Sequence, residues 1–166
     1  MKQFSLFTLL LSIFLLSCTS TKKENAETPM QFSEKIVNAE IQLSKPLAKA
    51  EQNIRAQADS ADYEGMGKTA ARAEKLVQEK IDEIEKLSVS DFKGGEDFQK
   101  SAINYFEYIK SIYTTYKNIG EAKNEGVRLA QTRQMDTILA TQKNVITMMQ
   151  AAQDKFAIEN GFQVEK

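Results

Sequence analysis

The sequence predicts an all-α fold, an antiparallel up-down-up-down four-helix bundle. From Met30 onward, apolar residues recur three and four positions apart, which is the spacing of one face of an α-helix. No stretch alternates apolar and polar residues for long enough to predict a β-strand. The chain has only two prolines and seven glycines, so strong turn signals are few.

Four apolar stripes mark the predicted helices. The first contains Phe32, Ile36, Ala39, Leu43, Leu47, Ala50 and Ile54, and the second contains Tyr63, Met66, Ala70, Ala73, Val77, Ile81, Ile84 and Leu87. The third contains Phe98, Ala102, Tyr105, Ile109, Ile112, Tyr116 and Ile119. The fourth is less regular and contains Val127, Ala130, Ile138, Val145, Met149, Ala152 and Phe156. Four stripes of similar length with short connections favour antiparallel neighbours.

Short polar or glycine-containing segments separate the stripes. They are Asp59-Ser60, residues 88–95 and residues 120–126, while Asn160-Gly161 predicts a helix end that needs a left-handed residue. Pro46 lies inside the first stripe, where we expect a kink. A three-helix bundle with the fourth helix packed in trans, or an elongated coiled coil, fits the same spacing.

Composition argues against several classes of function. The 166 residues carry a net charge of −1, whereas a nucleic-acid-binding protein needs a basic face. The absence of histidine removes the commonest metal ligand and the best proton-transfer group near neutral pH. A single cysteine permits neither an internal disulfide nor a cysteine-rich zinc site. We therefore expect no metal, no nucleic-acid partner and no enzymatic activity.

The N-terminus has the organisation of an export signal. Lys2 is followed by an apolar run from Phe4 to Leu16, broken only by three hydroxyl residues. As a helix this run would span about 20 Å, short of the roughly 30 Å hydrocarbon core of a bilayer. Residues 1–17 are therefore predicted to be a cleaved signal peptide rather than a transmembrane helix.

The signal ends in Leu15-Leu16-Ser17-Cys18, which resembles the lipobox of the bacterial lipoprotein family. The resemblance implies cleavage before Cys18 and a diacylglyceryl group on its thiol, the only cofactor expected. Leu16 departs from the alanine or serine more usual at that position. Two or three acyl chains give stable anchoring where a single chain does not. An ordinary secretory peptide with an unmodified cysteine is the alternative.

Residues 18–29 are predicted to be the lipidated cysteine and a flexible polar tether, and residues 30–166 the helical domain. Thr19 is not the aspartate that resembles an inner-membrane retention signal, which favours the outer membrane. Lys22-Lys23-Glu24 faintly resembles the surface-export signals of Bacteroidota lipoproteins. A solvated linker explains these three residues equally well, so surface and periplasmic exposure both stay open.

Three third-stripe residues, Tyr105, Ile109 and Tyr116, form the candidate ligand pocket, because tyrosine can bury its ring and keep its hydroxyl available. Gly67-Lys68-Thr69 matches only the end of a phosphate-binding loop, and Asp62 stands where that loop needs glycine. Four acidic residues near the end of the second stripe interleave with Lys80 and Lys86, as on a solvated face: Glu79, Asp82, Glu83 and Glu85.

The order of lipobox, short tether and one helical domain resembles the small uncharacterised helical lipoproteins of Bacteroidota and spirochaetes. It implies a non-enzymatic interaction or structural module of the cell envelope, held to the membrane by lipid and contacting a protein or glycan partner. The alternative is a small-ligand-binding bundle. A roomy apolar cavity beside Tyr105 would favour that alternative, and a close-packed core would oppose it.

Overall fold

A computed structural model describes residues 27–164. The lipobox residues Leu15, Leu16, Ser17 and Cys18 lie outside the described residues, as do the predicted signal peptide and most of the predicted tether. The described part is all-helical, as predicted, and consists of α1 (Pro29–Asp59), α2 (Tyr63–Glu85), α3 (Gly95–Gly120), α4 (Glu125–Ala140) and α5 (Gln142–Glu159). Only Thr141 separates α4 from α5, so these helices make four helical segments.

The fourth predicted helix is divided at Thr141 into α4 and α5. The Thr141 N–H donates a hydrogen bond at 3.0 Å to the carbonyl oxygen of Ile138, which is three residues earlier. The Thr141 hydroxyl donates to the same oxygen at 2.7 Å. A threonine hydroxyl that bonds to nearby backbone competes with the regular helical pattern. The local bonds of Thr141 therefore end α4 and let α5 begin one residue later.

The other helix ends lie close to the predicted positions, and polar side chains explain most of them. Thr28 and Gln31 form a reciprocal capping box at the start of α1, with Pro29 as its first residue. Asp62 and Asn124 each accept a hydrogen bond from the backbone N–H three residues later. Gly161 has a φ of +76°, which confirms the predicted left-handed residue after α5. α1 continues through Pro46.

The core lies mainly between α1, α2 and α3, with α5 closing one end. The second and third stripes contact each other closely because Gly67 of α2 lies directly against Gly120 of α3. At the end of the bundle that α5 closes, opposite Gly67 and Gly120, five phenylalanine rings cluster: Phe32, Phe92, Phe98, Phe156 and Phe162. Their centroid separations of 4.9–6.3 Å are typical of packed aromatic side chains.

The aromatic residues of α3 are distributed differently from the predicted stripe. Phe106 and Tyr113, which are not members of the predicted stripe, are fully buried, whereas Tyr105 and Tyr116 are only partly buried. Each of the four lies near an interface, because α3 is the central helix and approaches every other helix. A helix surrounded on several sides buries more than one stripe.

α4 is the least buried helix. Met135 is its only fully buried residue, and its backbone approaches only α3 and α5. Val127 and Ala130, predicted to be core residues, are exposed. The Arg128 side chain reaches the Tyr63 ring of α2, whereas Gln153 of α5 contacts Ser33 of α1. The last segment therefore crosses α3 from the α2 side to the α1 side, leaving one face of α4 uncovered.

Candidate functional site

A small recess lies where α1, α3 and α5 meet. Its cavity is about 20 Å³, which is room for about one water molecule. Apolar side chains form most of its wall, together with a few polar groups: Ile36, Val37, Glu40, Tyr105, Phe106, Ile146, Met149, Gln150 and Gln153. The recess exists because α5 approaches α1 only at a few points near the phenylalanine cluster.

The polar centre of the recess is a hydrogen bond between two helices. The Tyr105 hydroxyl donates to Glu40 Oε1 at 2.7 Å. Burial raises the pKa of the Glu40 carboxyl, and the hydrogen bond from Tyr105 offsets part of that rise. Burial and the neighbouring Glu40 charge raise the pKa of the Tyr105 hydroxyl. Tyr105 is therefore a neutral donor to a buried acceptor and is unsuited to giving up its proton.

A second polar group lies further along the interface between α1 and α3. Burial raises the pKa of Glu51, and Arg55, whose Nη2 lies 3.6 Å from a Glu51 oxygen, partly lowers it. Burial, then the Glu51 charge, raises the pKa values of Tyr113 and Tyr116. The buried Tyr113 hydroxyl has no hydrogen-bond partner. Glu40 and Glu51 of α1 thus face tyrosines of α3 at two places along the interface between these helices.

The predicted pocket residues do not meet at one cavity. Tyr105 lines the recess, whereas Ile109 and Tyr116 pack against the core as partly buried residues and are not part of the recess wall. Sequence reasoning missed Glu40 and Gln153, which α1 and α5 contribute. Glu40 carried a usable signal, because it stands four residues after Ile36 and three before Leu43, at a spacing otherwise occupied by core residues.

The outer face of α4 is uncovered by the other helices. We define this face as Leu129, Ala130, Arg133, Asp136, Thr137 and Ala140, which lie about 100–160° around the helix from the buried Met135 at 100° per residue and are all exposed. Leu129 has 48% of its surface exposed. Four of the six exposed large hydrophobic residues in the described part belong to α4 or α5: Val127, Leu129, Met148 and Ile158. Of these four, only Leu129 belongs to the outer face of α4, where it lies beside the small residues Ala130 and Ala140.

Arg133 and Asp136 are the only charged members of this face. Neither side chain has an ion pair or hydrogen bond within residues 27–164, although the two are three residues apart. On the same helix and at the same spacing, Arg128 Nη1 lies 2.7 Å from a Glu125 oxygen. The outer face therefore presents one free cation and one free anion beside apolar and small residues.

Among residues 27–164, no group of three or more histidine, cysteine, aspartate or glutamate side chains is arranged to hold a metal ion. None of the helices in that range is both long and apolar enough to cross a membrane. No protein-family model, no curated protein and no solved structure matches the chain.

Proposed function

We propose that the chain is the precursor of a bacterial lipoprotein whose helical domain is a non-enzymatic interaction or structural module of the cell envelope. The Leu15-Leu16-Ser17-Cys18 sequence and the apolar run before it support cleavage and lipid attachment at Cys18. Lipid on Cys18 anchors the domain to the outer membrane, and its partner is a protein or glycan. The proposal includes no metal and no nucleic acid, in keeping with the absence of histidine and the balanced charge.

The domain is proposed to be an antiparallel up-down-up-down bundle. Its contacts support this arrangement, since Phe32 at the start of α1 lies beside Phe98 at the start of α3 and Phe156 at the end of α5. Gly67 at the start of α2 lies against Gly120 at the end of α3. These contacts support antiparallel directions for α2 and α3 and for α1 and α5, and the same direction for α1 and α3.

The outer face of α4 is the proposed contact surface. Its exposure is the observation on which the proposal of an interaction module rests. α4 has 16 residues and buries only Met135 fully. Isolated helices of about this length are marginal in water, and most helical stability in proteins comes from packing of an apolar face. A partner that covers Leu129 and Ala130 would add the packing that α4 lacks within one copy.

A small-ligand-binding bundle is the second candidate. The hydrogen-bonded Tyr105 and Glu40 in a mostly apolar wall favour it, because ligand sites combine apolar walls with a few polar groups. The recess holds about one water molecule, so a larger ligand requires α5 to move away from α1. This candidate is weaker than the contact surface, which is accessible without any rearrangement.

Membrane fractionation and protease shaving test the anchor. In cells that express the tagged chain, we expect wild type in the outer-membrane fraction and Cys18→Ala in the soluble envelope fraction. Cleavage by external protease while an internal marker survives places the domain at the surface, and protection until the outer membrane is opened places it in the periplasm. Equal membrane retention of wild type and Cys18→Ala overturns the lipid anchor.

A photo-crosslinking side chain introduced at Leu129 tests the contact surface. We expect a discrete crosslinked product in intact cells from this position. The matched control is the same side chain at Leu76, an exposed leucine of α2 away from the outer face of α4. Equal labelling from the two positions, or none from Leu129, overturns the assignment of this surface while leaving the lipid anchor untouched.

A further inference from the structure

We propose that the outer face of α4 binds the same face of a second copy of this chain, in an antiparallel helix pair with reciprocal Arg133–Asp136 contacts. This inference rests on the proposed function, because it names the partner of the proposed contact surface. Its basis is the order of residues along α4. About one particular twofold axis, the residues of one copy face complementary residues of the other.

The charges locate that axis. When two copies of α4 cross antiparallel about a twofold axis between residues 134 and 135, Arg133 of each copy faces Asp136 of the other. A twofold interface uses the same surface on both copies, so one unpaired cation and one unpaired anion become two ion pairs. Both groups are exposed and free in the single copy. A parallel pair in register would instead place Arg133 against Arg133, which is repulsive.

The same axis matches large residues with small ones. It brings Leu129 of one copy opposite Ala140 of the other, and Thr132 opposite Thr137. Leu129 and Ala140 are both exposed in the single copy. Helix packing depends on a side chain of one helix entering the space left by small neighbours on the other, at interaxial distances of about 8–10 Å. The axis that the charges define therefore also places a large residue opposite a small one.

The pairing also fixes how two anchored copies would lie. A twofold axis perpendicular to α4 points the two bundles in opposite directions, with Pro29 at opposite ends of the pair. Both copies reach one membrane only when the axis lies along the membrane normal and the bundles lie flat on it. The predicted tether of residues 18–29 is long enough for this placement if it has the span of about 20 Å expected of a polar linker of that length.

Charge reversal provides a direct test on the full chain, purified in detergent and measured by light scattering. Wild type is expected to be a dimer. Arg133→Asp alone and Asp136→Arg alone each place like charges in contact, and we expect the dissociation constant to rise about tenfold or more. Both positions are exposed, and unchanged circular dichroism verifies that each variant is folded.

Two combinations of these substitutions distinguish a specific pairing of Arg133 with Asp136 from a general effect of charge. An equal mixture of the Arg133→Asp and Asp136→Arg chains is expected to form heterodimers, because each copy then supplies the charge that the other needs. The double variant R133D/D136R is expected to form homodimers again. A monomeric wild type, dimers that survive both single reversals, or failure of both combinations overturns the proposal.

Crosslinking in intact cells tests the geometry in the membrane. Gln134→Cys lies beside the proposed axis and is exposed, so a bismaleimide spanning about 10 Å should link two copies. Leu76→Cys is the matched control on α2 and should give no dimer. The chain with no added cysteine is a second control and should give no crosslinked dimer, because lipid on Cys18 would block its thiol. A Leu129 photo-product with a different protein and no Gln134→Cys dimer overturns self-association but retains the proposed function.

Discussion

The helices α2 and α3 approach each other much more closely than α3 and α4 do. Between α2 and α3, Gly67 and Gly120 bring backbone against backbone. Glu74 of α2 is also bonded to Thr114 and Lys117 of α3, and these bonds outweigh burial and lower the pKa of the Glu74 carboxyl. Between α3 and α4, Met135 is the only residue of α4 that becomes fully buried.

The difference shows how one fold can separate stability from recognition. The three helices α1, α2 and α3 contain most of the buried residues, so the domain does not depend on α4 for its core. A helix that contributes little to the core can keep apolar residues on its outer surface. Regions with few buried contacts are also the first to open. We expect the two interfaces to respond differently to substitution and to solvent.

The largest expected effect is at the close interface. A Cβ at residue 120 would lie 2.5 Å from the backbone N and Cα of Gly67 and 2.6 Å from the Tyr63 carbonyl oxygen. Since backbone cannot rotate away, Gly120→Ala must push α2 and α3 apart, and we expect a loss of about 3 kcal/mol in the free energy of unfolding. Urea denaturation followed by circular dichroism measures it.

Gly126→Ala is the control at the α4 end of the molecule. Its Cβ would approach only the Asn124 side chain, at 3.4 Å, which is ordinary contact. Alanine has the better helix propensity, so Gly126→Ala should be neutral or stabilising. Equal losses from both variants would mean that the Gly67–Gly120 contact is not what holds α2 and α3 together.

Hydrogen exchange compares the two interfaces in one experiment. Amides in the middle of α4 are expected to exchange at least about tenfold faster than amides in the middle of α2, because α4 lacks buried packing on most of its surface. The measurement is native-state exchange followed by mass spectrometry at a concentration below that at which copies associate. Similar protection in α2 and α4 would remove the distinction between the two regions.

The sequence predicted the core helices better than α4, and the reason is physical. Apolar spacing identifies the side of a helix that avoids water, and the predicted residues Ile36, Ala70 and Phe98 are buried. The same spacing does not say whether another helix lies opposite, so Val127 and Ala130 were assigned to the core but are exposed.

The break at Thr141 was not predictable from residue type. Thr132 and Thr137 lie inside α4, and their hydroxyls bond to the carbonyl four residues earlier without ending the helix. Thr141 instead bonds to Ile138, three residues earlier. A threonine hydroxyl can bond to the carbonyl three or four residues earlier, and the local backbone conformation determines which bond forms.

The candidate site was predictable only in part for a similar reason. Tyr105 could be predicted as a pocket residue because its place in the apolar stripe and its hydroxyl are visible in the sequence of a single helix. Its partner Glu40 lies 65 residues away on α1, and only the packed arrangement brings the two together. The pair Gly67 and Gly120 illustrates the same limit, since each glycine alone suggests a flexible turn or helix end.

Loss of the cap of α4 should have a smaller effect than the changes at the close interface. The Asn124 side chain accepts a hydrogen bond from the Val127 N–H at 3.0 Å. Asn124→Ala removes this bond, and we expect a loss of about 1 kcal/mol, seen as faster exchange in α4 more than as global unfolding. Asn38→Ala, an exposed change within α1, is the control and should be neutral or slightly stabilising.

The smallest expected effect is at Glu40, and it depends on pH. Burial raises the pKa of Glu40 in the folded state, so its contribution to stability is fully present below the unfolded pKa of about 4.3 and is lost as the pH rises through the folded value. At pH 7 the buried carboxylate is therefore unfavourable. Glu40→Gln keeps an acceptor for the Tyr105 hydroxyl without the charge, and should raise the free energy of unfolding at pH 7 by less than about 1 kcal/mol.

The gain from Glu40→Gln should disappear below about pH 4, where the wild-type carboxyl is protonated. Urea denaturation of both chains at pH 4 and pH 7 measures it, with Glu79→Gln on the exposed side of α2 as a control that changes stability by no more than about 0.5 kcal/mol. A loss of stability at pH 7 would mean that the charged form is the one the recess stabilises. In that case the hydrogen bond from the Tyr105 hydroxyl to the charged carboxylate outweighs the cost of burying it.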